Sequence, residues 1–392
     1  MAHAPATSHP LLRLGRLQLD SRLRALQAGS AAPDLVVTAA VPLPDSSGNP
    51  QYGFDVAWED AVREAVGLGA EQSTAQALLR GSGDALGHGT RVVVAAHGEA
   101  LLGRWISPAI AGNSVRVGPL PHLTDVAAAA AMRPAYVVVL ADRDGADVIA
   151  HAAGSQLPAE RFLVGNRARP AGRDHHDDLP PALHHGERHV TDREPESGGW
   201  PNAESIAGRV ADAAAQVGAH VVLGVGDQHI LDAVNGHLAG SIGPISAIDG
   251  AREPSGLDDH LRPAIGAALD DIASAAVSAV GDLVASLADG PNPAAVRGIN
   301  AVAEQLAQQQ VAVLLLAADI SQDAVVGPSY RIGTRPTELL VGETDPGVEV
   351  PVEDGLVWAA LQQDAIVVQL SDRAGALAGE SAAALLRRGQ AS

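Results

Sequence analysis

The residues of this 392-residue chain best suited to chemistry lie between Gly165 and Trp200. That stretch has almost no apolar content, yet it holds five of the 15 histidines: His175, His176, His184, His185 and His189. Arg167, Arg169, Arg173, Arg188 and Arg193 accompany them, together with seven acids. Three readings fit such a mixture. Guanidinium and imidazole groups meet phosphate and stack on exposed bases, as an RNA-contacting finger would. Histidine and carboxylate also suit zinc or nickel. A solvated loop has the same composition. The spacing matches no metal motif: His185 and His189 are four apart, but Gly186 weakens a helix there, and Glu187 alone does not make the zincin pattern. No metal is expected.

The polar stretch must be held by what flanks it. Before it stand a buried-strand signature, Tyr136 to Leu140, then Asp142-Arg143-Asp144, then a second apolar run, Ala146 to Ala150. Asp144-Gly145 is a tight-turn signal between two strands. Behind it, Gly198-Gly199-Trp200 runs directly into a helical pattern over 203–217. Trp200 is either a stacking platform or a cap on that helix, with Asn202 an alternative cap. Asp142 and Arg143 read as a structural pair at a strand end rather than as catalytic groups. Gly224 and Gly226 after the next strand lack the third glycine of a dinucleotide fingerprint and read as a generic tight turn. No G-x-S-x-G nucleophile elbow is present.

Beyond this region the chain alternates helix and strand, which implies an α/β protein with mostly parallel sheets. Three domains are expected, at 1–133, 134–253 and 254–392. In the first, a helix is expected over 10–27, a strand to Val41, a helix over 58–79, a hairpin over 91–106 and a short strand at 115–117. The second continues after helix 203–217 with strand 219–225, helix 227–239 and strand 244–248. The third reads as helix 257–288, helix 294–309, strand 311–317, short strands to 355, helix 356–362, strand 365–370 and helix 376–388.

Composition narrows function. There is no Cys, so disulfides, thiolate catalysis and cysteine zinc sites are excluded. All 26 basic residues are Arg, and the net charge is −20, which opposes general nucleic-acid affinity. The charge is uneven: 10 Arg meet 11 acids over 1–133, 9 meet 17 over 134–253, and 7 meet 18 over 254–392. The first third is therefore least repelled by RNA, and its opening carries Arg13, Arg16, Arg22 and Arg24 against Asp20 alone. Neither a signal-peptide pattern nor about 18 uninterrupted apolar residues occurs, so a soluble, cytoplasmic protein is expected, with no membrane and no DNA partner.

The order of pieces resembles the archaeal and eukaryotic class-I release factors and Pelota. It is similar above all to their bacterial relatives, which include a ribosome-hibernation factor. Three segments carry the resemblance: Tyr136 to Ala146 with its Asp142-Arg143 pair, Gly198-Gly199-Trp200 before a long helix, and Gly298 to Ile320 as a helix running into a strand. The C-terminal stretch Gly375 to Arg387 also fits. The resemblance implies a three-domain release-factor/Pelota-like architecture, with the first domain toward the decoding centre and the long loop toward the peptidyl-transferase centre. It further implies the 70S ribosome as partner, with 23S and 16S rRNA contacted in the A site, and a translational GTPase as delivery partner. On that reading Arg13, Arg16, Arg167, Arg169, Arg173, His184, His185, Arg188, His189, Arg193, Gly198, Gly199 and Trp200 meet rRNA or the ribosome.

The departures matter as much. The family's hydrolytic members place Gln after the two glycines, and here Trp200 stands there, with no Gln between Gly165 and Gly199. Indole offers only an N–H donor and accepts no proton. No efficient peptide release, no catalytic residue and no cofactor are expected. Stop-codon motifs are missing, one of which needs Cys. The expected role is therefore an A-site plug on idle ribosomes. The alternative is a peptidyl-tRNA hydrolase in ribosome rescue, activating water through His185 or His189.

Overall fold

The computed structural model describes residues 10–19, 21–26, 35–43, 50–85, 89–106, 112–143, 145–155, 158–165, 203–238, 242–251, 261–288, 293–318, 320, 323–326, 332–333, 348–371 and 375–387. The fold is mixed α/β with four sheets. It divides into two compact units: residues 1–15 with 132–276, and 16–131 with 277–392.

The first 131 residues build a four-stranded antiparallel sheet of β1 (Val36–Pro42), β2 (Thr90–Ala96), β3 (Glu99–Ile106) and β4 (Ser114–Gly118), in the order β3-β2-β1-β4. The β2–β3 hairpin turns on His97 and Gly98, both at positive φ (52° and 76°), the twist a two-residue hairpin needs. Strand period divides β2 between two cores: Val93 and Ala95 join Phe54, Trp58 and Trp105, while Val92, Val94 and Ala96 face the other way.

The expected helix over 10–27 is not formed. A 3-10 turn at Pro10–Arg13 and a four-residue helix, α1 (Ser21–Arg24), stand in its place. Leu17 and Leu19 are both buried although two apart, a spacing that an extended chain satisfies and a helix does not. The single helix expected over 58–79 is two, α2 (Pro50–Gly67) and α3 (Gln72–Ser82). Gly69 at φ +99° lets the Ala70 N–H reach the Ala65 carbonyl at 3.0 Å, a Schellman stop that ends α2. A further helix, α4 (Thr124–Ala131), was not expected from the sequence.

The middle segment forms a five-stranded sheet, β7-β6-β5-β8-β9, from β5 (Tyr136–Asp142), β6 (Gly145–His151), β7 (Glu160–Gly165), β8 (Val221–Gly226) and β9 (Ile245–Ile248). β5, β8 and β9 are mutually parallel, whereas β5–β6 and β6–β7 are antiparallel, so the sheet is mixed. Helices α5 (Ala203–Val217) and α6 (Gln228–Leu238) cover one face with Val137, Val139 and Ala141. Val138 and Leu140 point to the opposite face, against Leu261, Ile265 and Leu269 of α7 (Leu261–Leu287). By length and composition α7 is apolar enough to cross a membrane. Its apolar stripe, Leu261, Ile265, Leu269, Ala273, Ala276, Val280 and Val284, is nonetheless buried in protein at helical spacing.

The last segment adds a sheet of order β10-β16-β11-β15: β10 (Ala295–Arg297), β11 (Val311–Ala317), β15 (Ile366–Leu370) and β16 (Ala382–Leu386). Helices α8 (Ile299–Ala307) and α9 (Val352–Gln362) pack on it, and β12 (Asp323–Val326), β13 (Ile332–Gly333) and β14 (Val348–Pro351) make a small separate sheet. The helices expected over 294–309 and 376–388 are corrected here. The first opens instead with β10, parted from α8 by Gly298 at φ +88°. The second is the strand β16, an alanine- and leucine-rich run whose five residues are all buried between β10 and β11. Burial on both faces overrides the helical preference of Ala and Leu.

Candidate functional site

The frame that holds the polar stretch is the end of the middle sheet where β5, β6, β7 and β8 finish or begin. Asp142 pairs with Gly145 across the β5–β6 turn, Gly145 pairs with Gly165 at the end of β7, and Ala141 pairs with Gly226 at the end of β8. The chain departs after Gly165 and returns at Ala203 to start α5, so the 37 residues between are mounted at both ends on this sheet layer. Arg167, Arg169, Arg173, His184, His185, Arg188, His189, Arg193, Gly198, Gly199 and Trp200 all lie outside the described residues. Arg13 sits half-buried on the 3-10 turn and Arg16 is exposed; they fall in different units.

The polar groups on the frame are committed to its own turns. Asp142 accepts the Gly145 N–H at 3.0 Å, and Asp227 caps α6 by accepting the His229 N–H at 3.0 Å. Arg143 is exposed, and its guanidinium lies 3.9 Å from Asp227. Asp142 thus holds its own turn, as a structural residue at a strand end would. Gly226 explains the glycines that might suggest a nucleotide loop. Its φ is +113°, and a Cβ there would stand 2.0 Å from the Ala141 carbonyl oxygen. At Gly224 a Cβ would meet Ile245 at 2.6 Å. Both positions serve close strand–helix packing.

Residues 135–287 match the model of bacterial archaeo-eukaryotic release factor family 2. Over those residues the chain is similar to that family. Its matched segment takes in the whole middle sheet, the mounted stretch and α7. The chain also resembles several solved structures at low identity. Archaeoglobus fulgidus Pelota is 12% identical over 95% of this chain and 94% of that one, with a TM-score of 0.31. The archaeal termination factor aRF1 is 14% identical over 93% and 95%, with a TM-score of 0.21. A ribosome-bound archaeal Pelota, solved with ABCE1, is 13% identical over 97% and 98%, with a TM-score of 0.37. No curated protein matches the chain.

Two polar features of the protein are assembled by the fold and are not contiguous in its sequence. One is a cleft of about 400 Å³ lined by Arg80, Arg91 and Arg104 with Gly81 and Gly103, and by no acid. The Arg91 guanidinium donates to the Gly81 carbonyl at 2.7 and 3.2 Å, and a Cβ at Gly103 would touch it at 2.8 Å. Burial pulls the Arg91 pKa below the usual arginine value. Arg80 donates to the Gly98 carbonyl and Arg104 to that of Gln18, and only the β2–β3 register brings these residues to one cleft.

The other is a trio on the second unit, His122, Glu353 and Asp354. His122 precedes α4; Glu353 and Asp354 occupy the first turn of α9, where the helix dipole favours carboxylates. His122 Nδ1 lies 2.6 Å from an Asp354 carboxylate oxygen and 3.9 Å from one of Glu353. Its backbone N–H donates to Thr38 Oγ1 at 3.0 Å. Burial works against a charged imidazole, but the Asp354 hydrogen bond and the charges of Asp354, Glu353 and Asp125 outweigh it, and the His122 pKa is raised. Burial raises that of Glu353, with Asp354 and Asp125 adding to it against His122 and Arg116. The trio joins positions more than 200 residues apart, so no sequence window contains it.

Proposed function

We propose that this protein is a cytoplasmic, ribosome-associated translation factor that occupies the A site of idle 70S ribosomes without releasing peptide, in the manner of a hibernation factor. One observation carries the reading. Within the segment matched to the release-factor family, Trp200 follows Gly198-Gly199 directly before α5, where hydrolytic relatives are expected to hold Gln. An indole at that position neither accepts a proton nor orients an attacking water through a carbonyl. What remains is a plug, in which the Arg and His side chains of 167–193 and Arg13 and Arg16 meet 23S and 16S rRNA. The first segment is the least acidic third of the chain, which supports phosphate contact from it as well. A translational GTPase is the proposed delivery partner.

The test is paired. Purified protein is expected to cosediment with vacant 70S ribosomes at low salt and to leave peptidyl-tRNA intact on programmed ones. No retention at low salt ends the reading. Peptide release by the wild type that is lost on His185→Ala or His189→Ala replaces it with the rescue hydrolase.

A further inference from the structure

We propose that His122, Glu353 and Asp354 form a divalent-metal site that clamps the segment before α4 to the start of α9. One ring nitrogen and one oxygen from each carboxylate lie within 4.8 Å of one another. Around zinc at about 2.1 Å, tetrahedral ligand atoms stand about 3.4 Å apart. The distances of 2.6 and 3.9 Å from His122 Nδ1 bracket that value, so side-chain shifts of under about 1 Å would seat the ion.

Charge argues for a cation. The side chains of Glu353 and Asp354 are only 23% and 11% exposed, adjacent in sequence, and turned to one imidazole. Asp125 adds a third negative charge, and Arg116 is the cation acting against Glu353. A fully protonated His122 offsets one carboxylate and leaves the other. Buried like charges are costly unless matched, and a divalent ion matches this pair where an imidazolium does not. The ligand set is also chemically coherent. One imidazole and two carboxylates in a chain with no Cys suit zinc, leaving a fourth position for water. The hydroxyl of Thr124, two residues on from His122, is buried with no hydrogen-bond partner among the described residues. The plain alternative is a structural His–Asp hydrogen bond, which accounts for Asp354 and leaves Glu353 without a role.

The inference is independent of ribosome binding and is tested without it. The histidines of 175–189 would also take up zinc, so the reference protein is the full chain with His175, His176, His184, His185 and His189 changed to Ala. Calorimetric titration with zinc chloride is expected to show one site per chain, and zinc is expected to raise the thermal midpoint. Adding Glu353→Gln, which keeps volume and removes a ligand charge, is expected to weaken binding by about tenfold or more. Adding His122→Ala is expected to abolish both the site and the thermal shift, with far-UV circular dichroism reporting that the fold persists. If His122→Ala fails to fold, Glu353→Gln decides alone. A reference protein that takes up no zinc, or one whose affinity is unmoved by Glu353→Gln, overturns the proposal.

Discussion

The two compact units of this protein are built in opposite ways. The middle sheet draws both of its cores, one under α5 and α6 and one under α7, from a nearly continuous stretch, Ala135 to Leu269. The other unit has a core in which Leu17, Leu19, Leu23, Val92, Leu123 and Val126 pack with Val302, Leu314, Trp358 and Leu386. Those partners lie more than 170 residues apart in sequence. A core of the first kind closes through short connections; a core of the second kind closes only when both ends of the chain are present. The difference teaches that the middle sheet's cores depend on one stretch of sequence, whereas the first and last segments are bound to one another's sequence.

Cutting the chain breaks this comparison most directly. Residues 132–276 expressed alone are expected to unfold cooperatively on heating. Residues 277–392 alone are expected to lack a cooperative transition, because the apolar side that meets Leu17–Ala130 is left uncovered, and adding residues 16–131 in trans is expected to restore one. Circular dichroism melts read both outcomes. A sharp melt for 277–392 by itself would show that the shared core is dispensable.

Within the middle unit, the second largest effect falls on Gly226. Ala there meets the Ala141 carbonyl at 2.0 Å from a backbone at φ +113°, so Gly226→Ala is expected to cost about 3 kcal/mol or more. Gly218 is the control. It ends α5 at φ +66° with nothing within 4 Å of its missing Cβ, and the Ala219 N–H bonds the Ala214 carbonyl at 2.8 Å. Gly218→Ala is expected to cost only about 1 kcal/mol, the local price of a left-handed residue. Urea titration of both variants checks the gap; equal losses would mean the close approach to β5 relaxes.

The same contrast decides what sequence could show. In the middle sheet the strands β5, β6 and β8 and the helix α5 were legible, because each has its own apolar period and a turn signal next to it, such as Gly145. Only β7 was missed, since Glu160–Gly165 carries a mixed pattern and owes its pairing to β6. In the last sheet β16 was illegible. Ala382-Ala383-Ala384 favours a helix in isolation, and only the slot between β10 and β11 makes it a strand. Site residues divide likewise. The Gly198-Gly199-Trp200 motif is contiguous in sequence and lies outside the described residues. The trio at 122, 353 and 354 is assembled by the fold and could not be read from sequence.

Tyr136 offers a smaller, pH-gated probe of the middle unit. Its ring stacks on His151 with centroids 4.5 Å apart, and burial pushes its hydroxyl pKa up to about 12, against the lowering charges of Arg133 and Arg262. The raised value means the folded unit holds the proton more tightly than the unfolded chain. Stability from this group is therefore full below pH about 10 and is lost as pH rises through 12, by about 3 kcal/mol. Tyr136→Phe is expected to remove that alkaline loss while leaving the other unit's melt unchanged. An alkaline slope that survives the substitution would place its source elsewhere.

The smallest effect tests how tightly the ends of the chain are tied in the other unit. Arg24 of α1 donates to the Gln362 carbonyl at 3.1 Å, to the Leu19 carbonyl at 3.1 Å, and ion-pairs with Asp364. Asp364 itself sits at φ +58° in the Schellman stop of α9, where the Ala365 N–H bonds the Ala360 carbonyl at 2.9 Å. A glycine would relax that backbone by about 1 kcal/mol, and a half-exposed ion pair is worth no more than that, so Asp364→Gly is expected to be near neutral. Arg24→Ala removes the two carbonyl contacts as well and is expected to cost about 1–2 kcal/mol. The order of the two variants carries the argument. If Asp364→Gly destabilised more than Arg24→Ala, the ion pair rather than the backbone contacts would be holding α1 to α9, and raising the salt concentration would shrink the difference.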